Sequence, residues 1–134
     1  MPTAHAIGEE RAPISVLTVD DQAIFRSVAR DVIEATPGFA AIGEAASGPE
    51  ALTASGALRP DLVLLDVRMP GMDGIETARR LRDARPDAIV VLVSMEEMTD
   101  VDATTETCGA AAFVRKQDLC PAVLRSVWTT HRRR

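Results

Sequence analysis

Short, solidly apolar runs alternate with longer amphipathic stretches along this chain. Five of these runs are typical of β-strands, at 14–19, 39–45, 62–65, 88–93 and 111–114. The runs "LVLL" and "AIVVLV" contain no alternating polar residues, so both faces of those two strands are predicted to be buried. Strands buried on both faces are characteristic of parallel sheets.

Helical periodicity fills the intervals between these strands. The first interval predicts a helix with a broad apolar face, formed by Ile24, Phe25, Val28, Ala29, Val32 and Ile33. Further helices are predicted at 49–58, 74–84, near 97–107 (weakly encoded) and at 118–129. Pro49 lies in the first turn of one of them, and the Asp-Gly pair at 73–74 supplies a cap for another.

Five strands alternating with five helices predict a doubly wound α/β fold with a parallel sheet. Right-handed crossover connections then place helices on both faces of that sheet. The 134 residues are enough for one domain, which is predicted to cover 14–130, after a flexible tail at 1–13 and before a basic end at 131–134. No apolar run approaches the roughly 20 residues that cross a bilayer, so no membrane association is expected.

Charge and cysteine content narrow the class of protein further. The formal net charge is −5. Three of the 15 basic residues are the arginines at 132–134, so the rest of the chain carries 12 basic and 20 acidic residues. This balance argues against nucleic acid as a direct partner. Cys108 and Cys120 show neither metal-ligand spacing nor a disulfide pattern, which fits free thiols and a cytoplasmic location.

Polar side chains follow four of the predicted strands. Asp20 and Asp21 follow the first strand and Asp66 the third, while Ser94 and Lys116 follow the fourth and fifth. Because the carboxyl ends of parallel strands meet at one edge, where ligands of such sheets bind, these side chains are predicted to converge.

Three carboxylates brought together need a counterion. At ~4 Å and an effective dielectric constant of 20, each pair repels by about 4 kcal/mol. A site for Mg²⁺, with Mn²⁺ as the alternative ion, would relieve this repulsion, and with Ser94 and Lys116 nearby it would suit a phosphoryl group accepted by Asp66. Simpler alternatives remain open, in which Asp20 caps the first helix and Asp66 is a solvated turn residue.

Four fragments together identify a family. "VDDQ" (19–22), "LLDVRMPGMDG" (64–74), "LVS" (92–94) and "FVRK" (113–116) resemble the response-regulator receiver domains of two-component signalling. The resemblance covers about residues 14–130 and is greatest to receivers of LuxR-type regulators. It implies a flavodoxin-like (βα)₅ fold with strand order 2-1-3-4-5.

The resemblance also implies residue roles. Asp66 would accept a phosphoryl group from a sensor histidine kinase or a phosphotransfer protein. Asp20, Asp21, Asp66 and the backbone carbonyl of Arg68 would hold Mg²⁺.

The remaining roles concern the phosphorylated state. Ser94 and Lys116 would bind the phosphoryl oxygens, and Ser94 and Phe113 would form the conformational switch. Arg68 and Glu96 occupy rate-tuning positions and are hypothesised to pair across the mouth of the site. Many members have Pro after the lysine, but this chain has Gln117, which leaves open whether that peptide bond is cis.

The function implied is that of a signalling switch rather than an enzyme. Its output would reach an unknown protein through the face of predicted helix 4, strand 5 and helix 5, from a monomer or a phosphorylation-dependent homodimer. Only 18 residues follow Lys116, so a stand-alone receiver is expected, the alternative being an isolated receiver of a LuxR-type transcription factor. An aspartyl-phosphate hydrolase of the haloacid-dehalogenase type is disfavoured, because Arg68 stands where its general acid would be.

Overall fold

The computed structural model describes residues 12–95 and 108–132. Five strands form one parallel sheet: β1 (Ile14–Val19), β2 (Phe39–Ala45), β3 (Leu62–Asp66), β4 (Ile89–Ser94) and β5 (Ala112–Arg115). Their order across the sheet is β2-β1-β3-β4-β5. The predicted doubly wound fold and its strand order are therefore confirmed, with β4 and β5 each displaced by one residue from the predicted runs.

Four helices lie within the described residues: α1 (Ala23–Glu34), α2 (Gly48–Leu58), α3 (Gly74–Ala84) and α4 (Pro121–His131). The helix predicted near 97–107 lies outside the described residues, so α4 corresponds to the fifth predicted helix. It begins at Pro121 rather than at residue 118, because a 3₁₀ turn (Lys116–Asp118) intervenes and proline favours the first helical position. Asp73 caps α3 as predicted, accepting from the Glu76 N–H at 2.9 Å.

The core has two layers, one on each face of the sheet. Every residue of β3 and β4 is buried, as the unbroken apolar runs predicted. On one face these strands pack against α1 and α4, through residues such as Ile33 and Leu124. On the other face they pack against α2 and α3, through residues such as Ala51 and Leu81. The two layers hold the sheet rigidly, so its carboxyl edge is a fixed platform.

The apolar face of α1 is narrower than its periodicity predicted. The helix buries Phe25, Ala29 and Ile33, but Ile24 is 81% exposed and Val28 46% exposed. Periodicity shows which residues share a side of a helix, whereas the width of the buried stripe depends on how far the neighbouring layer extends. Ile24 and Val28 therefore form an exposed apolar strip on α1.

Two further sequence questions concern covalent geometry and membrane association. The described residues contain no cis peptide bond, so the bond between Lys116 and Gln117 is trans. Cys108 and Cys120 form no disulfide. Across residues 12–95 and 108–132, no helix combines the length and the apolar composition that spanning a bilayer requires.

Candidate phosphoacceptor site

The ends of four strands bring the predicted site residues to one edge of the sheet. Asp20 directly follows β1, Asp66 is the last residue of β3, Ser94 is the last residue of β4, and Lys116 directly follows β5. Asp66 pairs in register with Val93, so the buried Ser94 lies one residue further towards the same edge on the adjacent strand. The parallel topology alone produces this convergence.

The three acids form a compact cluster with a steep gradient of burial. Asp20, Asp21 and Asp66 each offer a carboxylate oxygen, and these oxygens all lie within 4.8 Å of one another. Asp20 is fully buried and Asp66 nearly so, whereas Asp21 is exposed. The cluster is thus open to solvent on the Asp21 side and closed beneath Asp20.

Lys116 supplies the positive charge nearest to the buried acids. Its Nζ lies 2.6 Å from Asp20 Oδ2 and 3.7 Å from Asp66 Oδ2, and its side chain is only 7% exposed. The short contact is an ion pair whose angles fall outside those of a hydrogen bond. The ring of Phe25 lies on another side of the ammonium group, with its centroid 4.6 Å from Nζ. Lys116 therefore lies close to two carboxylates, and its ammonium group makes a cation–π contact with the ring of Phe25.

The pKa of Asp66 is raised because burial and a neighbouring acid together outweigh the charge of Lys116. Burial, and next the charge of Asp20, raise the pKa of Asp66 from 3.8 to about 6. The hydrogen bond from the Arg68 N–H to Asp66 Oδ1, at 3.2 Å, and the charge of Lys116 both act in the opposite direction. A further positive charge at the site would therefore stabilise the ionised form of Asp66.

In the loop after β1, two hydrogen bonds hold Asp20. Asp20 Oδ1 accepts from the Gln22 N–H at 2.8 Å, and the Asp20 N–H donates to the carbonyl of Ala45 at 3.0 Å. The N-cap of α1 is Gln22, which makes no side-chain capping bond. The interpretation of Asp20 as the cap of the first helix is therefore wrong, because the hydrogen bond to its carboxylate comes from Gln22, which precedes the helix.

The loop after β3 is packed tightly against the phosphoacceptor candidate. A Cβ on Gly74, the first residue of α3, would overlap the backbone oxygen of Asp66 and would lie 2.6 Å from Cα of Val67. The Gly74 N–H donates to the carbonyl of Val67 at 2.9 Å. Glycine is required here because the start of α3 touches the end of β3, and this contact fixes the backbone of Asp66.

Three further residues were predicted to belong to the site: Phe113, Arg68 and Glu96. Phe113 is half-buried on β5, opposite Leu92, and packs against the core layer beside α2 and α3. The Arg68 side chain is exposed, and the amide of this residue faces Asp66. Glu96 lies outside the described residues, so its hypothesised pairing with Arg68 stays a prediction.

Two residues at the site were not identified from the sequence. Phe25 contacts Lys116, and Arg26 donates from Nη1 to the backbone carbonyl of Asp20 at 2.7 Å. The sequence pattern places Phe25 only on the apolar face of α1, and Arg26 belongs to none of the four fragments that resemble the family. A helical repeat of four from Gln22 would have placed Arg26 close to the loop, but not in contact with Asp20.

The donor set fits a hard divalent cation. Mg²⁺ and Mn²⁺ prefer oxygen ligands and Mg²⁺ usually keeps several waters, which an acid cluster open on one side permits. Burial and, after it, the charge of Asp20 raise the pKa of Asp66, and a bound cation would oppose both effects. Asp20, Asp21 and Asp66 are the side chains that would hold it.

The family model described as the response regulator receiver domain matches residues 16–124. The chain belongs to the response regulator receiver family. Receiver domains are signalling modules of two-component systems and are typically not enzymes themselves.

Among curated relatives, a protein-glutamate methylesterase/protein-glutamine glutaminase of Halalkalibacterium halodurans is 39% identical over 104 residues, covering 77% of this chain and 30% of that protein. Across the methylesterases and response regulators compared, the chain spans only 27–48% of the length of each relative. The activities of these longer proteins therefore cannot be assigned directly to this receiver.

Two solved structures resemble the fold closely. A two-component response regulator of the LuxR family from Aurantimonas sp. is 30% identical with a TM-score of 0.81, covering 90% of this chain and 88% of that one. CheY in a complex with CheX, BeF3 and Mg²⁺ from Borrelia burgdorferi is 28% identical with a TM-score of 0.81, covering 92% of both chains. The likeness to LuxR-type receivers is thus supported.

Proposed function

We propose that this domain is a phosphoacceptor switch in which Asp66 receives a phosphoryl group from a phosphohistidine, with Mg²⁺ bound by the acid cluster. The observation that carries the proposal is the position of Asp66 at the end of β3, beside Asp20 and 3.7 Å from Lys116. The nearly buried carboxylate thus lies beside two further acids that could hold a metal ion and beside a buried cation.

The chemistry asks little of the protein beyond positioning and charge. An oxygen of Asp66 attacks the phosphorus atom, so that a new O–P bond forms and the P–N bond to the donor imidazole breaks. The imidazole leaves with the electron pair and takes up a proton. Lys116 would pair with the phosphoryl oxygens, and the buried Ser94 would donate its hydroxyl proton to them. Bound Mg²⁺ would supply charge neutralisation between Asp66 and the incoming group.

The low basicity of carboxylates makes Asp66 a weak nucleophile in this role. An acyl phosphate is a high-energy bond, so its formation must be assisted by groups that are already in place. Asp20 is held by the sheet and by Gln22, and Lys116 is held by Asp20 and Phe25. This preorganisation supports phosphoryl acceptance at Asp66.

The surface around the site suits a protein as phosphodonor. Ile24 and Val28 expose an apolar strip on α1, which begins three residues after Asp20, and Met95 next to Ser94 is 64% exposed. Exposed apolar side chains beside a charged site favour contact with a partner protein. A sensor histidine kinase or a histidine phosphotransfer protein is the partner that the proposal implies.

Output would follow from a change in the packing of Ser94 and Phe113. Drawing Ser94 towards a phosphoryl group would open space beside β4, into which the half-buried Phe113 of β5 would turn. The altered face would include β5 and α4, together with the helix predicted near 97–107, which lies outside the described residues. We propose that this face binds an output protein; the alternative, favoured by the likeness to a LuxR-family regulator, is that the receiver belongs to a LuxR-type transcription factor.

The relative from Borrelia supports the metal and phosphate proposal. Its crystal structure contains CheY with BeF3 and Mg²⁺. Beryllofluoride has the tetrahedral shape and charge of a phosphoryl group, so a similar fold can hold a phosphoryl-like group and Mg²⁺ together. We extend this arrangement to Asp66 and its neighbours here.

The test uses acetyl phosphate as a small-molecule donor and follows the intact mass of the protein. The wild type is expected to gain one phosphoryl group in the presence of Mg²⁺ but not with excess EDTA. Asp66→Asn should gain none, whereas Asp83→Asn, at an exposed acid on α3, should behave as the wild type. Sustained turnover of an aryl phosphate ester would instead indicate a hydrolase and would overturn the proposal.

A further inference from the structure

Arg26 connects the first helix to the acidic loop at a single backbone atom. Its Nη1 donates to the carbonyl oxygen of Asp20 at 2.7 Å, six residues back along the chain. The side chain is only 21% exposed, so this hydrogen bond is partly shielded from water. A charged donor on a backbone carbonyl makes a stronger hydrogen bond than a neutral one.

Arg26 is itself fixed from the opposite side. Its Nε lies 3.4 Å from Glu44 Oε1 on β2, and Glu44 Oε2 accepts from Arg30 Nε at 2.6 Å. Glu44 is thus shared by two arginines one turn apart on α1, but of the two only Arg26 reaches Asp20. The guanidinium group bridges the edge strand of the sheet and the loop after β1.

The carbonyl that Arg26 holds determines the direction of Asp21. The peptide unit between Asp20 and Asp21 is planar, so fixing its oxygen also fixes the nitrogen and Cα of Asp21. On the other side of Asp20, its N–H is already held by Ala45 in the sheet. Arg26 therefore completes the restraint of the backbone at the point where the two acids diverge, one buried and one exposed.

We propose that Arg26 is a positioning residue for the acid pair: it sets the orientation of the Asp20–Asp21 peptide and thereby the affinity of the cluster for a divalent cation. This inference rests on the proposed metal site for its effect on affinity, but not for the restraint of the loop. Arg26 touches neither the phosphoryl group nor the cation in this account. It acts only through the backbone of Asp20.

The test compares Arg26→Met and Arg26→Lys with Arg30→Ala as the matched control. Arg30 lies on the same helix and contacts the same glutamate, but it makes no contact with Asp20. Two quantities are measured: the dissociation constant for Mn²⁺, by calorimetry, and amide hydrogen exchange at Asp21 and Gln22 in the metal-free protein. Thermal unfolding of each variant identifies any general loss of stability.

Arg26→Met is expected to weaken Mn²⁺ binding about tenfold, as loss of a residue that orients a metal ligand commonly does. Exchange should accelerate at Asp21 and Gln22 and stay unchanged in the strands. Arg26→Lys, which keeps a charge and one donor, should give intermediate values, and Arg30→Ala should match the wild type. Wild-type affinity and exchange in Arg26→Met, or equal losses in Arg30→Ala, would overturn the inference.

Failure of the proposed function would look different. The wild type would then bind no Mn²⁺ at the cluster and gain no phosphoryl group, while exchange at Asp21 and Gln22 would still show whether Arg26 restrains the loop. Accelerated exchange in Arg26→Met alone would support the restraint even in that case.

Discussion

The ammonium group of Lys116 lies 2.6 Å from Oδ2 of Asp20, closer than to Asp66 at 3.7 Å. In this arrangement the lysine serves as an internal counterion for the most deeply buried acid. A divalent cation that binds Asp20 must therefore compete with Lys116, and a phosphoryl group on Asp66 would give the displaced lysine a new partner. If the proposed function holds, this one side chain would couple metal binding to phosphate binding.

Replacing Lys116 should separate these two effects. Lys116→Met removes the competing cation, so Mg²⁺ affinity should rise severalfold, while phosphorylation by acetyl phosphate should slow by at least about tenfold because the cation that pairs with the phosphoryl oxygens is lost. Calorimetry and intact mass measure the two quantities. Arg115→Met, at a neighbouring base that pairs with Asp118, is the control and should change neither. Weaker Mg²⁺ binding in Lys116→Met would contradict the competition.

The raised pKa of Asp66 predicts an unusual dependence of stability on pH in the metal-free protein. Its folded-state pKa of about 6 exceeds the ordinary 3.8, so the folded state binds more protons than the unfolded state between these values. Stability should therefore fall as the pH rises from about 4 to about 6, by roughly 2–3 kcal/mol from this group.

Urea unfolding in EDTA across that range tests the pH prediction. Asp66→Asn should lack this component and exceed the wild type in stability at pH 7, whereas the two should converge near pH 4. Asp83→Asn, the exposed acid on α3, should retain the wild-type profile. Parallel profiles for the wild type and Asp66→Asn would show that Asp66 titrates normally.

The contact between Phe25 and Lys116 predicts an aromatic contribution to phosphorylation. Phe25→Leu keeps an apolar side chain but removes the ring face, worth about 0.5–2 kcal/mol for a partly desolvated cation. Phosphorylation by acetyl phosphate at saturating Mg²⁺ should slow about two- to tenfold. Phe39→Leu removes a similar contact, with Arg125 at 5.4 Å, away from the site, and should not affect the rate. Equal rates for the wild type and Phe25→Leu would exclude this role.

The exposed strip on α1 should matter only to a protein donor. Ile24→Ser should slow transfer from a histidine kinase or phosphotransfer protein that phosphorylates the wild type, by about tenfold if Ile24 becomes buried on docking. Its rate with acetyl phosphate should be unchanged. Leu58→Ser, at an exposed apolar residue on α2, is the control for loss of surface hydrophobicity. A rate loss with both donors would place the defect in the site instead.

The close packing of Gly74 against β3 predicts a sharp difference between two glycines. Gly74→Ala should destabilise the domain by about 1–3 kcal/mol, because the added methyl group overlaps the backbone of Asp66 and Val67. Gly56→Ala, in α2, meets no atom within 4 Å and should stabilise by up to about 1 kcal/mol. Chemical denaturation measures both, and a neutral Gly74→Ala would show that the start of α3 can move freely.

Much of the fold followed from the sequence because burial leaves a direct trace in it. The unbroken apolar runs of β3 and β4 predicted strands covered on both faces, and the polar residue at the end of each predicted the site edge. The strand order came from the family resemblance. These features are local along the chain, or follow from topology once the strands are known.

The contacts of Arg26 with Glu44 and with the carbonyl of Asp20 could not be predicted in the same way. It depends on the register between β1 and β2, which shifts between Val16 and Leu17 and places Glu44 opposite Thr18. The exposure of Ile24 likewise depends on how far the neighbouring elements extend, which periodicity does not encode. Contacts of this kind arise from three-dimensional offsets rather than from spacing in the sequence.

The central claim is that Asp66 itself carries the phosphoryl group, and chemical trapping tests it most directly. Borohydride reduces an aspartyl phosphate to homoserine, which peptide sequencing by mass spectrometry can locate after treatment with acetyl phosphate. We predict homoserine in place of Asp66 alone, formed with Mg²⁺ and absent in EDTA. Conversion of any other acid instead, or equal conversion of Asp66 without a divalent cation, would contradict the account.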